Sequence, residues 1–189
     1  MHRSFKYLLP FFLFLCYSFT NQERNVRQLL IDALNELDKE SSLIKIIPVI
    51  KKDEVLFHKL PIGKPLKEKY RVSSPFGSRY HPIDKKMKFH SGIDLVAEYA
   101  STIHATADGT VTFAGIKGGY GKCVVINHGY NFQTVYAHMT LYYTKKNKKV
   151  KKGDVIGFLG STGKSTGNHL HYEIKWKDNK PINPANWID

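Results

Sequence analysis

The sequence predicts a mainly β protein, with an antiparallel β domain over residues 70–189 preceded by an amphipathic helix and an extended connector. Two observations lead there. From Tyr70 onward, short apolar runs alternate with turn residues, and no segment of helical periodicity interrupts them. Between residues 22 and 40, by contrast, Val26, Leu29, Leu30, Ala33, Leu34 and Leu37 recur at helical spacing with charges between them. With 189 residues, 42% of them hydrophobic, the chain can bury a real core, which excludes global disorder.

The first twenty residues stand apart. His2, Arg3 and Lys6 make a positive start, and Tyr7 to Phe19 is almost wholly apolar, the pattern of a secretory signal. The run falls short of the ~20 residues of a membrane span. Ser18-Phe19-Thr20 is an imperfect cleavage site, so residues 1–20 read as a signal peptide or as an uncleaved N-terminal anchor. Cys16 follows Leu15, where a lipoprotein signal needs a small residue. Either way the expectation is export, to the periplasm or envelope or out of the cell. The helix at 22–40 would run about five turns, with an apolar stripe for the domain, a partner helix or a membrane surface. Residues 41–69 mix short apolar runs with Pro48, Pro61, Gly63 and Pro65 and read as the extended connector.

Candidate strands in the β domain are Ile103–Ala107, Thr110–Ala114, Lys122–Ile126, Phe132–His138, Asp154–Leu159 and His169–Lys175, with hairpin-turn chemistry at Asp108-Gly109 and His128-Gly129. Cys123 is the only cysteine beyond Cys16, so no internal disulfide is expected in the exported part and Cys123 reads as a buried small hydrophobe. The formal charge of +13 would suggest nucleic acid in a cytosolic protein. Export replaces that partner with anionic envelope polymers, for which Lys145, Lys146, Lys148, Lys149, Lys151 and Lys152 form a candidate patch.

Three fragments carry metal chemistry. In the stretch 167–174, GNHLHYEI, strand alternation puts His169, His171 and Glu173 on one face and Leu170, Tyr172 and Ile174 on the other, with the two imidazoles about 7 Å apart. In FHSGIDL, His90 and Asp94 stand four apart around Gly92, which lets the backbone bend so that both can reach one ion. His138 ends a strand in TVYAHMT. Together they offer nitrogen and oxygen ligands without a cysteine set, which favours a catalytic site with an open position over a closed structural one.

These fragments and their order carry a resemblance. The run from SSPFGSRYHP through FHSGIDL, YAHMT and GSTGKSTGNHLHYEI to PINPANWI resembles the lysostaphin/LytM-type zinc metallopeptidases that cut peptidoglycan peptides, over residues 70–189. The resemblance implies an antiparallel β-sheet core with an open groove, the duplicated hybrid motif. It implies one Zn²⁺ per chain, held by His90, Asp94 and His171, with His138 and His169 flanking the attacking water. His169 is then expected as general base and His138 as stabiliser of the oxyanion. Arg79, Tyr80 and His81, in SRYHP, would line the groove. His104 and His128 read as structural, and the Gly160–Gly167 loop as a flexible groove wall rather than a phosphate loop.

The implied function is an exported zinc endopeptidase for the cross-links of peptidoglycan, D,D-bonds being favoured. The alternative is a non-catalytic wall-binding or regulatory protein on the same scaffold, but all five metal and histidine positions are filled here. A zinc carboxypeptidase of another fold ranks last, because Gly167 and Asn168 stand where that class has a glutamate.

Overall fold

The computed structural model describes residues 22, 24–37, 39–80 and 85–188. The chain forms two units, one ending at Lys39 and one beginning at Glu40. The expected signal or anchor lies outside the described residues. In the first unit residues 24–36 form helix α1, where Gln28 Nε2 donates to Asp32 Oδ1 one turn away at 2.9 Å. Among the described residues no helix is long and apolar enough to cross a membrane.

The second unit opens with two helices where an extended connector was expected, α2 (Glu40–Ile50) and α3 (Glu54–Lys59). In α2, Leu43, Ile47 and Ile50 are buried at helical spacing. That stripe outweighs Pro48, which lacks the N–H that would bond the carbonyl four residues back but lies within three residues of the helix end, so little helix follows it. Asp53 caps α3, its carboxylate accepting from Leu56 N–H at 2.9 Å. Leu60, Ile62 and Leu66 beyond it have no solvent exposure, so this segment belongs to the core.

Among the described residues thirteen strands follow: β1 (Arg71–Ser74), β2 (Gly77–Tyr80), β3 (Met87–His90), β4 (Ile93–Val96), β5 (Thr102–His104), β6 (Gly109–Ile116), β7 (Lys122–Asn127), β8 (Phe132–Met139), β9 (Leu141–Tyr142), β10 (Lys149–Val150), β11 (Val155–Phe158), β12 (Leu170–Trp176) and β13 (Lys180–Ile182). The main sheet has the order β1-β4-β12-β8-β7-β6-β10, with β13 also pairing β12. A second sheet is β5-β11-β9, and β2 and β3 form a hairpin of their own. All these pairings are antiparallel. The antiparallel β core thus stands as expected.

The core-side face of β12 carries Leu170, Tyr172 and Ile174, all fully buried. The hydroxyls of Tyr136 and Tyr172 both meet Thr106 Oγ1, so two large rings enter the core with their polar ends satisfied. Cys123 is a free, buried thiol.

Two turn readings change. Asp108-Gly109 is not a hairpin turn, because β5 pairs with β11 and β6 with β7. The Asp108 carboxylate instead receives Lys152 N–H at 2.9 Å and Lys151 Nζ at 3.2 Å. The β7–β8 connection is a hairpin, but its positive φ angles fall on Tyr130 (58°) and Asn131 (64°) rather than on Gly129. Lys152 also leaves the proposed polymer-binding patch: its ammonium donates to the carbonyls of Ile62 and Thr106 and sits 4.0 Å from the Phe57 ring centroid.

Candidate metal centre and its groove

The site forms where β4, β12 and β8 lie side by side. Asp94 and His171 are register partners across β4 and β12, and His171 pairs with Ala137 of β8 on its other side. Direct pairing puts Asp94 and His171 on one face. His90 ends β3 and reaches the same point through the tight Ser91-Gly92 connection into β4. Gly92 is needed there for closeness: a Cβ on it would stand 2.4 Å from the Tyr172 carbonyl oxygen and 3.0 Å from the His171 ring. The expected reason, backbone bending between two ligands, gives way to this close approach to β12.

Three ligand atoms converge. His90 Nε2 is 3.0 Å from His171 Nδ1 and 3.2 Å from Asp94 Oδ1, and His171 Nδ1 is 2.9 Å from Asp94 Oδ1. Their outer contacts fix the tautomers. His90 Nδ1–H donates to Pro75 O at 2.8 Å, and His171 Nε2–H donates to Glu173 Oε1 at 2.9 Å. Each ring therefore turns its other nitrogen inward. A tetrahedral zinc with bonds of about 2.0–2.1 Å needs donor atoms about 3.4 Å apart, so this nearly equilateral set fits the ion. His90, Asp94 and His171 form the group of described residues suited to hold it. A proton competes with the ion for the inward nitrogen of His171. Burial disfavours a charged His171, yet its hydrogen bonds to Asp94 and Glu173 prevail and raise its pKa to about 9. Asp94 resists burial in the same way and is held far below the usual carboxylate range by His171 and His90.

Two further imidazoles face this triangle. His138 Nδ1–H donates to Thr162 O at 2.7 Å, and His169 Nδ1–H to Gly167 O at 2.8 Å. Both rings thus present Nε2 as the free atom, with centroids 4.6 Å apart. His169 Nε2 lies 3.7 Å from Asp94 Oδ1. Burial, only partly opposed by the Thr162 carbonyl, pushes His138 down to about 4. His138 does not simply end a strand. It has a φ of +61°, and the register between β7 and β8 shifts between Lys122 and Val124, so a bulge re-aims the side chain.

The groove above encloses about 920 Å³. Arg79 and Tyr80 line it as expected, Arg79 Nη2 lying 3.4 Å from Asp94 Oδ2. His81 lies outside the described residues. The Gly160–Gly167 loop forms a wall, pinned by Thr162 Oγ1 donating to Met139 O at 2.8 Å. His104 and His128 are buried and bonded to backbone carbonyls, as structural residues should be.

Sequence reasoning gave no role to Glu173, whose Oε1 also accepts from Ser91 Oγ and from Tyr120 OH at 2.8 Å. Its signal was the β12 alternation that placed it beside His171. Tyr120 had none, since it arrives from a 3₁₀ turn (Gly118–Tyr120) far away in sequence.

The model of peptidase family M23 matches residues 88–184 of the chain, which include His90, Asp94, His138, His169 and His171. The chain belongs to peptidase family M23. Among M23 relatives, the DD-carboxypeptidase/endopeptidase Mpg of Neisseria meningitidis is 48% identical over 115 residues, 61% of this chain and 26% of the relative. The chain thus spans about a quarter of the length of the curated relatives it matches first. A zinc-containing peptidase from Vibrio cholerae superposes with a TM-score of 0.61 at 30% identity, covering 66% of this chain and 39% of that one. The catalytic domain of lysostaphin from Staphylococcus simulans gives 0.57 at 26% identity, covering 61% and 90%. This M23 chain therefore has the metallopeptidase fold its motifs resemble.

Proposed function

We propose that the protein is an exported zinc endopeptidase that hydrolyses peptide cross-links of peptidoglycan, D,D-bonds first. The observation that carries this reading is the triangle of His90 Nε2, Asp94 Oδ1 and His171 Nδ1 at the base of an open groove, faced by two imidazoles that both offer Nε2. The M23 membership and the relatives named for DD-endopeptidase activity support it. The apolar Tyr7–Phe19 run after a basic start supports export.

When bound, zinc would supply Lewis acidity, lowering the pKa of a coordinated water and polarising the scissile carbonyl. The chain does the rest. His169, whose Nε2 lies 3.7 Å from Asp94 Oδ1, accepts the proton of the attacking water at that atom and passes it to the leaving amine. His138 stabilises the developing oxyanion from Nε2. Burial holds this Nε2 unprotonated beforehand, so the donation needs a proton that enters from solvent as the negative charge forms, which confines the stabilisation to the transition state. Arg79 steadies Asp94 from outside. Lys145, Lys146, Lys148, Lys149 and Lys151, all exposed, remain the proposed contact for anionic envelope polymer.

The test is incubation of purified protein with peptidoglycan and mass analysis of what is released. Muropeptides should appear, vanish with a chelator and return with zinc. Zinc-loaded protein that binds peptidoglycan but releases nothing would favour the regulatory alternative.

A further inference from the structure

The Glu173 carboxylate collects three donors on one oxygen. His171 Nε2–H, Tyr120 OH and Ser91 Oγ all donate to Oε1, while Oε2 lies 3.2 Å from Lys175 Nζ. His171 is a ligand of the triangle, and Ser91 directly follows the ligand His90. Tyr120 comes from elsewhere, the 3₁₀ turn Gly118–Tyr120 between β6 and β7. A carboxylate turned away from His171 would break all three bonds, so the Tyr120 hydroxyl helps to hold the acceptor in place. The Tyr120 ring also stands beside the His171 ring, with centroids 5.7 Å apart. The turn itself is fixed to the groove wall. Gly119 O accepts Lys164 N–H at 2.9 Å, and Thr162 Oγ1 accepts Lys122 N–H at 2.9 Å. Two glycines with positive φ, Gly121 (63°) and Gly163 (74°), permit this approach. A Cβ on Gly121 would stand 2.4 Å from Thr162 C, and one on Gly163 2.4 Å from Gly121 N. Thr162 is the residue whose carbonyl accepts from His138 Nδ1–H. A continuous series of contacts therefore joins His171 to His138 through Glu173, Tyr120 and the wall.

We propose that Tyr120 is a positioning residue of the metal centre: it acts through Glu173 to hold His171 for the ion, and it ties that ligand to the wall that orients His138. This role rests on the triangle being a zinc site, whichever peptide is cut. A phenol donating to a carboxylate makes a charge-assisted bond of the strong kind, and the outer partner of a ligating histidine sets the orientation of its ring. A hydroxyl that only satisfied a buried carboxylate would affect stability alone. One that orients the acceptor of His171 affects the metal as well.

The variant Tyr120→Phe keeps the ring and loses the hydroxyl. Zinc affinity of the full chain, measured by competition with a chelating dye, should weaken by about fivefold. In the Glu173→Gln background the same change should cost about twofold or less, because the charged acceptor is gone. Cobalt(II) in place of zinc gives a visible spectrum set by its ligands, and Tyr120→Phe should shift those bands. By reciprocity, zinc should slow amide exchange at Lys122 and Lys164, whose N–H groups join turn to wall, and should slow it less in Tyr120→Phe than in wild type. Affinity within twofold of wild type, or an unshifted cobalt spectrum, would make the hydroxyl merely structural and overturn the proposal. So would an undiminished loss in the Glu173→Gln background, or zinc-induced protection of the two amides that is equal in both proteins. Wild-type protein that takes up neither metal would instead remove the zinc reading on which this role rests.

Discussion

His171 Nε2–H donates at 2.9 Å to Oε1 of Glu173, a carboxylate with no solvent exposure. This contact turns Nδ1 of His171 towards Asp94 and His90 and leaves it as the ligand atom. Glu173 is itself held ionised at about 2: burial opposes the charge, but His171, Ser91 and Lys175 outweigh it. Glu173→Gln keeps an acceptor for His171 and loses the charge. Zinc affinity should fall about 10- to 100-fold, read by competition with a chelating dye, with the fold retained by circular dichroism. Affinity within twofold of wild type would show that Glu173 does not tune the site.

Metal content and turnover should separate between two histidines. His171→Ala removes a ligand atom of the triangle and should lose both stoichiometric zinc and activity. His138→Ala leaves the triangle intact, so it should keep its zinc while turnover drops by about 10²-fold or more. Full zinc in His171→Ala would refute the ligand set, and full turnover in His138→Ala would refute the role of that ring.

Gly92→Ala tests the close approach of the turn to β12. The added Cβ would meet backbone at 2.4 Å, the Tyr172 carbonyl oxygen, which has no flexible end to move aside. Destabilisation of about 1–3 kcal/mol is expected, together with weaker zinc binding because His90 and Asp94 flank the displaced turn. Urea unfolding and metal titration measure the two effects, and a variant unchanged in both contradicts the packing argument.

His128 gives a pH dependence of stability. Burial pushes its pKa down to about 4, even though the Asp108 carbonyl it bonds at 2.8 Å favours the charged form. An unfolded imidazole titrates near ~6.5, so between these limits the unfolded chain binds the extra proton. Stability therefore falls as pH drops from about 6.5 towards 4, by on the order of 3 kcal/mol from this group. His138 acts in the same direction. In His128→Gln the loss between pH 7 and pH 4.5 should be smaller than in wild type by about 2 kcal/mol. Equal losses in urea titrations at the two pH values would exclude His128 as the source.

The parts of the fold that were legible were those with local periodicity. The alternation Leu170/Tyr172/Ile174 against His169/His171/Glu173 located β12 and its functional face, and the six expected strands match observed ones to within two residues at every end except that of Ile103–Ala107, which stops three residues earlier, at His104. Strands such as β1 to β4, of four residues each, escaped because they are short and partly polar, and their pairing is decided by partners distant in sequence. The helices at Glu40–Ile50 and Glu54–Lys59 escaped because prolines and glycine dominated the reading of 41–69, although Asp53 ahead of Glu54 was a capping signal. Lys152 is indistinguishable in sequence from its neighbours in the candidate patch, and only the fold brings the Ile62 and Thr106 carbonyls to it. At the site, the ligand and histidine positions followed from motif and resemblance. The tautomers did not, because the carbonyls of Pro75, Thr162 and Gly167 that set them are not visible in a residue pattern.

The left-handed backbone of His138 makes that position a place where folding and catalysis pull apart. A residue that has a Cβ, held at φ +61°, costs on the order of 1 kcal/mol or more that glycine would not incur. His138→Gly should therefore melt higher than His138→Ala, while both lose turnover alike. Directed evolution for thermal robustness in any variant lacking this imidazole would drift towards glycine, so a turnover screen is needed to keep the ring in its bulge.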